Sequence, residues 1–314
     1  MVSAYGNIQA TDDYTHPLGP EENFNESMYF NAFDQRTGYG GFLRIGNRAN
    51  EGYAEVTLCL YLPTGEVLFN YMRPRIDDND AMDAGGMRFA VLEPLAKHRT
   101  TYEGGAVFLK EPAQMADPGQ AFRENPHKRV AVDLTHEAVG PAYGSAGAGQ
   151  PSEDPEQGFA RAHYEQHMRA HGTLTIDGET IEFEGAGLRD HSWGPRYWQA
   201  IHSYRWLTCT FGPDLGIMVS EVSPQQGVRR QNGVVVRGES LERITKVNID
   251  TDFAPDSRAH RRMTARLGVE DGQELVLKGE VKGYIPLRNR RAGMVTHIGE
   301  GMTEYRLGDR VAFG

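Results

Sequence analysis

Three stretches of this 314-residue chain read as strand, tight turn, strand, and they constrain its fold more than any other feature. EVTLCLYL and VLFNYMR flank PTGE between Glu55 and Arg73. TLTI and TIEFEG flank DGE between Thr173 and Gly185, and TARLGVE and ELVLKGEVKGY flank DGQ between Thr264 and Tyr284. Asp177-Gly178 and Asp271-Gly272 are residue pairs that accept the positive φ of a tight hairpin turn, so successive antiparallel strands follow. The composition agrees: 37 Gly, 16 Pro and 10% aromatic residues are turn-rich numbers, and few windows show helical periodicity. There is no strand–helix–strand alternation, no GxGxxG after a strand and no Walker A pattern, which disfavours a nucleotide-binding α/β domain. The fold expected is all-β.

The stretch PAYGSAGAGQPSEDP, Pro141 to Pro155, is small, polar and rich in Gly and Pro, unlike either side of it. It predicts a linker over 146–160 between an N-terminal β domain, 1–145, and a C-terminal β domain, 161–314, each the size of an up-and-down barrel or sandwich. Asp78 to Asp117 reads as irregular loop. A formal charge of −10 without a Lys/Arg-rich block argues against nucleic acid or an anionic membrane as partner. No window approaches the roughly 20 apolar residues of a spanning helix. The N-terminal MVSAYGNIQATDDYTHP lacks the basic and apolar regions of a secretory signal, so a cytoplasmic location is expected. Cys59 and Cys209 lie in apolar, strand-like runs and are expected to be buried and reduced.

Chemistry concentrates in GAGLRDHSWGPRYW, Gly185 to Trp198. Large aromatics such as Trp193 and Trp198 bury area, so they are expected to pack around something. Asp190 beside His191 suits general acid–base work, in which two environments push two pKa values apart. Neighbours on an extended strand point to opposite faces, so these two share a pocket only if a bulge intervenes, and the flanking glycines allow one. Equally, Asp190 and Arg196 form a buried ion pair and Trp193 plugs the space between the domains.

Upstream, strand alternation puts His163, Glu165 and His167 on one face, with Tyr164 and Gln166 on the other. The first three are metal-ligand types, an exposed polar edge, or a source for Glu165 as the partner carboxylate of Asp190. Downstream, Trp198, His202, Tyr204 and Trp206 have one parity, and an unbroken strand would make them an aromatic wall for an apolar or aromatic ligand, or a plain core. Glu221 is a further pocket-facing candidate, or equally faces solvent by alternation. In FNESMYFN, Ser27, Tyr29 and Asn31 share a face that lines a cavity or meets water. No Gly-x-Ser-x-Gly elbow is present, which disfavours a serine hydrolase of that signature.

With FNESMYFNAFD, LRIGNRANEGYAE, HYEQ and GAGLRDHSWGPR, the chain resembles the tandem lipocalin-like proteins related to carotenoid 1,2-hydratase, also called hydroxyneurosporene synthase, from about Asn23 to Tyr305. Within them it is similar to a branch with an Arg-Asp-His-Ser-Trp-Gly-x-Arg motif. The resemblance implies two calycin-like β domains, a ligand cavity at or between them, and no organic cofactor. Relatives include hydratases and fungal decalin-forming cyclases. By motif position it implies Asp190 as general acid–base and Trp193 as the motif Trp. Arg189 and Arg196 depart from the carotenoid enzymes and suggest a substrate with a polar or anionic end.

The expectation is therefore a cofactor-independent lyase of hydratase or dehydratase type, acting on a small hydrophobic terpenoid or aromatic compound. Asp190, His191, Glu165 and Tyr164 are its candidate catalytic residues. Trp193, Arg196, Trp198, His202, Tyr204, Trp206 and Tyr29 are its candidate substrate contacts, and no metal is assigned. A carrier of an apolar ligand, or a cyclase or isomerase on the same scaffold, is the alternative, and a homodimer is one allowed assembly.

Overall fold

The computed structural model describes residues 4–146, 161–225, 227–255, 257–291 and 293–314. In chain order its strands are β1 (Ala4–Tyr5), β2 (Phe24–Phe33), β3 (Gly40–Arg48), β4 (Tyr53–Tyr61), β5 (Val67–Met72), β6 (Asp83–Ala84), β7 (Met87–Glu93), β8 (Lys97–Leu109), β9 (His127–Ala138) and β10 (Ala142–Ser145). There follow β11 (Ala162–Ile176), β12 (Glu179–Pro195), β13 (Ile201–Thr210), β14 (Gly216–Pro224), β15 (Arg230–Arg237), β16 (Ser240–Phe253), β17 (His260–Val269), β18 (Glu274–Arg291), β19 (Met294–Leu307) and β20 (Arg310–Phe313). Besides short 3-10 turns, the helical structure described is α1, Pro118–Glu124. The fold is all-β, as the hairpin chemistry requires.

The first twelve strands form one sheet, in which β11, β12, β2, β3, β4, β5, β8 and β9 pair in a closed antiparallel ring. Eight strands enclose an interior that side chains fill. Phe30, Ile45, Leu58, Tyr102 and Leu134 fill it here. The remaining strands, β13 to β20, follow one another in an antiparallel meander with its own core around Ile217, Val235, Ala265 and Leu277. A third cluster, with Phe33, Phe42, Cys59, Tyr61, Ile285 and Met302, joins the outside of the barrel to the second sheet.

The sheets divide elsewhere than the sequence predicts. β11 and β12 follow the expected linker, yet they complete the first barrel, because β12 pairs with β2 from Phe24 to Phe33. The change of sheet comes between Pro195 and Ile201. Composition marks a connection, but pairing with a partner some 160 residues away decides which sheet a strand joins, and no local pattern records that. Most of the linker itself, 147–160, lies outside the described residues. Asp78 to Asp117, expected to be loop, carries β6, β7 and β8.

Turn chemistry reads through directly. Asp177 and Gly178 join β11 to β12 with φ of 51° and 92°, values that an Asp tolerates and Gly adopts freely. Cys59 and Cys209 are free and buried. Among the described residues, no helix is long and apolar enough to cross a membrane.

Candidate active site

No bulge interrupts β12 at the motif: its register with β11 and β2 runs regularly from Arg189 to Pro195. Arg189, His191 and Trp193 therefore point into the barrel, and Asp190 points outward toward the second sheet. The same parity splits β11, where Tyr164 opposes His191 and Glu165 opposes Asp190. The four candidate catalytic residues thus form two pairs on opposite faces.

The inner pair belongs to a buried polar network. His191 Nε2 meets Glu26 Oε1 at 2.8 Å, His16 Nδ1 meets the same oxygen at 2.7 Å, and the Tyr164 hydroxyl donates to Asp13 Oδ1 at 2.7 Å. Arg189 Nη1 donates to Asp13 Oδ1 at 2.5 Å, and Trp193 stacks on the His16 ring with centroids 3.8 Å apart. Burial opposes the charged form of Asp13, but Arg189 and then His98 outweigh it and hold this carboxyl well below the usual range. Against the same opposition, hydrogen bonds from His16 and His191 bring Glu26 down to about 2. Each charged group here has a partner, although one terminal nitrogen of Arg189 and His98 Nδ1 have none among the described residues, and the network ties the barrel interior together. His191 does not orient Asp190, Tyr164 does not reach the outer face, and Trp193 is no part of the cavity wall described next.

The outer pair lines a cavity of about 1850 Å³ between the barrel and the second sheet. This exceeds the roughly 300–1,000 Å³ of ordinary small-molecule sites. Tyr29, Phe42, Trp198, Tyr204 and Trp206 contribute aromatic wall, with Tyr29 stacked on Phe42 at 5.3 Å and edge-on to Trp206 at 5.4 Å. Arg196 lines it as well, donating to Ser192 Oγ at 3.0 Å and lying over the Trp198 ring at 5.6 Å. Of the expected substrate contacts, His202 departs as Trp193 does. The chain makes a 3-10 turn at Trp198–Ala200 and the register shifts between Ile201 and Ser203, so the parity from Trp198 onward is broken and His202 is exposed. Glu221 holds Arg229 and Gln231 instead of facing the cavity.

Asp190 is hydrogen-bonded to His163 Nε2, which lies 3.9 Å from Glu165 Oε1, and Trp206 Nε1 donates to that same Glu165 oxygen at 2.6 Å. The three groups titrate apart. Burial opposes charge on all of them, but the Asp190 carboxylate raises His163 to about 9, and His163 in turn keeps Asp190 below its ordinary value. For Glu165 burial is the largest influence and outweighs the charge of His163, the nearby Asp190 carboxylate adds to it, and Glu165 stands at about 7. A fourth group, Glu300 on β19, reaches the cavity from the opposite sheet. Burial alone pushes it up to about 7, and no side chain among the described residues pairs with it. No sequence signal marked Glu300, whose neighbours in HIGEGMTEY show no pattern tied to chemistry.

Two trios place ligand atoms within 4.8 Å of one another, a spacing that admits a cation: His163, Glu165 and Asp190, and His16, Glu26 and His191. In both, hydrogen bonds and ion pairs already satisfy the same atoms. His167, which shares parity with His163, bonds Thr210 Oγ1 at 2.8 Å and stays outside the first trio.

Among solved structures the chain is similar to a candidate AttH from Nitrosomonas europaea (13% identity, TM-score 0.61, 95% of this chain and 94% of that one). It is also similar to CghA with Sch210972 (12%, 0.53, 99% and 95%) and to CghA alone (11%, 0.53, 99% and 94%). These likenesses establish the fold. No curated protein matches the sequence. One family matches nearly all of it, residues 9–314, and the chain belongs to that family, described as Domain of unknown function (DUF7064).

Proposed function

We propose that this protein is an enzyme that moves protons within the inter-sheet cavity on a largely apolar substrate, a lyase of hydratase or dehydratase type. One observation carries this: a carboxyl, Glu165, opposes a second carboxyl across two strands in an aromatic wall, and a histidine hydrogen-bonds the second while lying 3.9 Å from the first. Two acids kept in different protonation states by their surroundings are what acid–base chemistry at neutral pH needs. Glu165 is the group poised to give and take a proton, and the His163–Asp190 ion pair sets its field. The acid–base role expected for Asp190 thus passes to its strand neighbour.

In the hydration direction, the Glu165 proton goes to one carbon of a double bond. The neighbouring carbon becomes electron-poor beside the Asp190 carboxylate and the faces of Trp206 and Tyr29, which favour positive charge. A water oxygen bonds to that carbon and its proton returns to Glu165, so the net change is one added water. If another double bond of the same molecule attacks instead, a ring closes, a carbon next to the new cationic centre gives a proton back to Glu165, and the mass does not change. The resemblance of the segment from Asp190 to Gly194 to the hydratases' motif supports the first course, and the likeness to CghA, whose structure was determined with Sch210972, supports a bound compound on this scaffold.

The test is untargeted mass spectrometry of an extract of the producing cells incubated with wild type or with Glu165→Gln. A compound altered by wild type alone supports the proposal, and a mass change of one water or none names the reaction. A compound that stays unaltered and co-purifies with both proteins would make this a carrier.

A further inference from the structure

The cavity wall opposes the charge of the chain. The protein carries a formal charge of −10, yet eight arginines and four carboxylates line this cavity. The imbalance is concentrated around Glu55, whose carboxylate lies 3.4 Å from Arg44, 3.5 Å from Arg48 and 3.1 Å from Arg73. One negative group serves three guanidiniums there, although Arg48 also holds Glu51 at 2.7 Å. One terminal nitrogen of Arg44 is buried with no acceptor among the described residues. Arg196 reaches the same cavity from β12's end and is 8% exposed. Burial, and after it the facing Arg44, bring Arg196 down to about 10, which records like charges set toward each other.

Buried like charges are costly, and a protein keeps them where something of opposite sign completes them. Guanidiniums also bind carboxylates and related acids through paired N–H donors. We infer that the cavity takes an amphipathic organic anion, its acid group held between Arg44 and Arg196 with Arg73 behind, and its apolar body along Tyr29, Tyr204 and Trp206. This deepens the proposed function by naming the substrate class, and it rests on that cavity being the binding site. The acid group anchors the molecule at one end and leaves its unsaturated part free to reach Glu165. Of the two arginines the motif suggested, Arg196 takes part and Arg189 does not, because Arg189 is spent on Asp13 inside the barrel.

The test compares two fluorescent ligands that share a skeleton, 8-anilinonaphthalene-1-sulfonate and uncharged N-phenyl-1-naphthylamine, by titration of the whole protein. Wild type is expected to bind the sulfonate at least tenfold more tightly, and decanoate is expected to displace it where 1-decanol does not. Arg44→Met and Arg196→Met should each lower sulfonate affinity tenfold or more and leave the neutral ligand unchanged, with Arg44→Lys in between. Equal affinity of wild type for the two ligands, or equal displacement by decanoate and decanol, would overturn the inference without needing a variant. Neither result touches turnover, which Glu165→Gln tests separately. A cavity that binds the neutral ligand with no preference for the anion refutes the substrate class and leaves the acid–base proposal standing. Failure of both ligands to bind removes the cavity as the site and takes both proposals with it.

Discussion

Glu165 and Asp190 stand directly opposite each other on neighbouring antiparallel strands, yet only Asp190 has the hydrogen bond to His163. Side chains so placed have Cβ atoms about 5 Å apart, and two carboxylates at that range cannot both ionise cheaply. The histidine breaks the symmetry and decides which one keeps its proton. Glu165→Gln retains the shape and hydrogen bonding and removes the exchangeable proton, so turnover should fall roughly 10²–10⁴-fold, the usual contribution of a general acid–base. For the hydration direction the acid must be protonated, so kcat should decline as pH rises through about 7. A rate that stays level from pH 6 to 8 would remove Glu165 from this role.

Trp206 offers a way to move that limb without touching the acid. Its indole N–H donates to Glu165 Oε1, which favours the ionised form and holds the pKa lower than burial alone would set it. Trp206→Phe keeps an aromatic ring and deletes the donor. The alkaline limb of kcat is then expected to shift to higher pH. An unshifted limb with a raised KM would mean that Trp206 only contacts substrate.

The course of the chain explains which of these features could be read from sequence. Alternation alone places Asp190 and His191 on opposite faces, and it holds because β12 stays regular through the motif. Asp177-Gly178 marks its own hairpin. What local pattern does not carry is pairing across long separations: nothing in FNESMYFN says that it will lie beside RDHSWGP and close a barrel around it. For the same reason Glu300 and Arg44 escape notice, since each becomes part of the site only when the second sheet packs on the first. His202 fails for a smaller cause, a single 3-10 turn that resets the alternation after Trp198.

Acid should unfold this protein earlier than its carboxylates would. Burial brings His98 down to about 4 and His136 and His167 to about 3 in the folded chain. Unfolded, each returns to about 6.5, so below that pH the unfolded chain takes up protons that the folded one refuses. Their contribution is complete above pH 6.5 and is lost as pH falls toward 4, at up to ~4 kcal/mol per pH unit for the three together. His163 has the opposite sign: its pKa is raised by Asp190, so its contribution is complete below 6.5 and is lost as pH rises through about 9. The urea midpoint is expected to peak between these limits and to fall steeply from pH 6.5 to 5. His136→Gln, which can keep a bond to Thr100, should lessen that slope by about a third. A midpoint that does not change from pH 7 to 5 would contradict the buried neutral histidines.

The two motif arginines should separate by phenotype, because one strand sends them to different faces. Arg189 is 1% exposed and its partner Asp13 is fully buried. Arg189→Met leaves that carboxylate without its main counter-charge, which costs ~3–5 kcal/mol when one member of a buried pair is removed. Adding Asp13→Asn removes the stranded charge and is expected to restore part of the loss. Arg196→Met relieves a repulsion instead, so its thermal midpoint should hold or rise while anion binding weakens. Melting curves and sulfonate titrations of the two variants decide the matter: if Arg189→Met keeps its stability, or if Arg196→Met loses it together with the binding of both ligands, the division of labour between the faces of β12 is wrong.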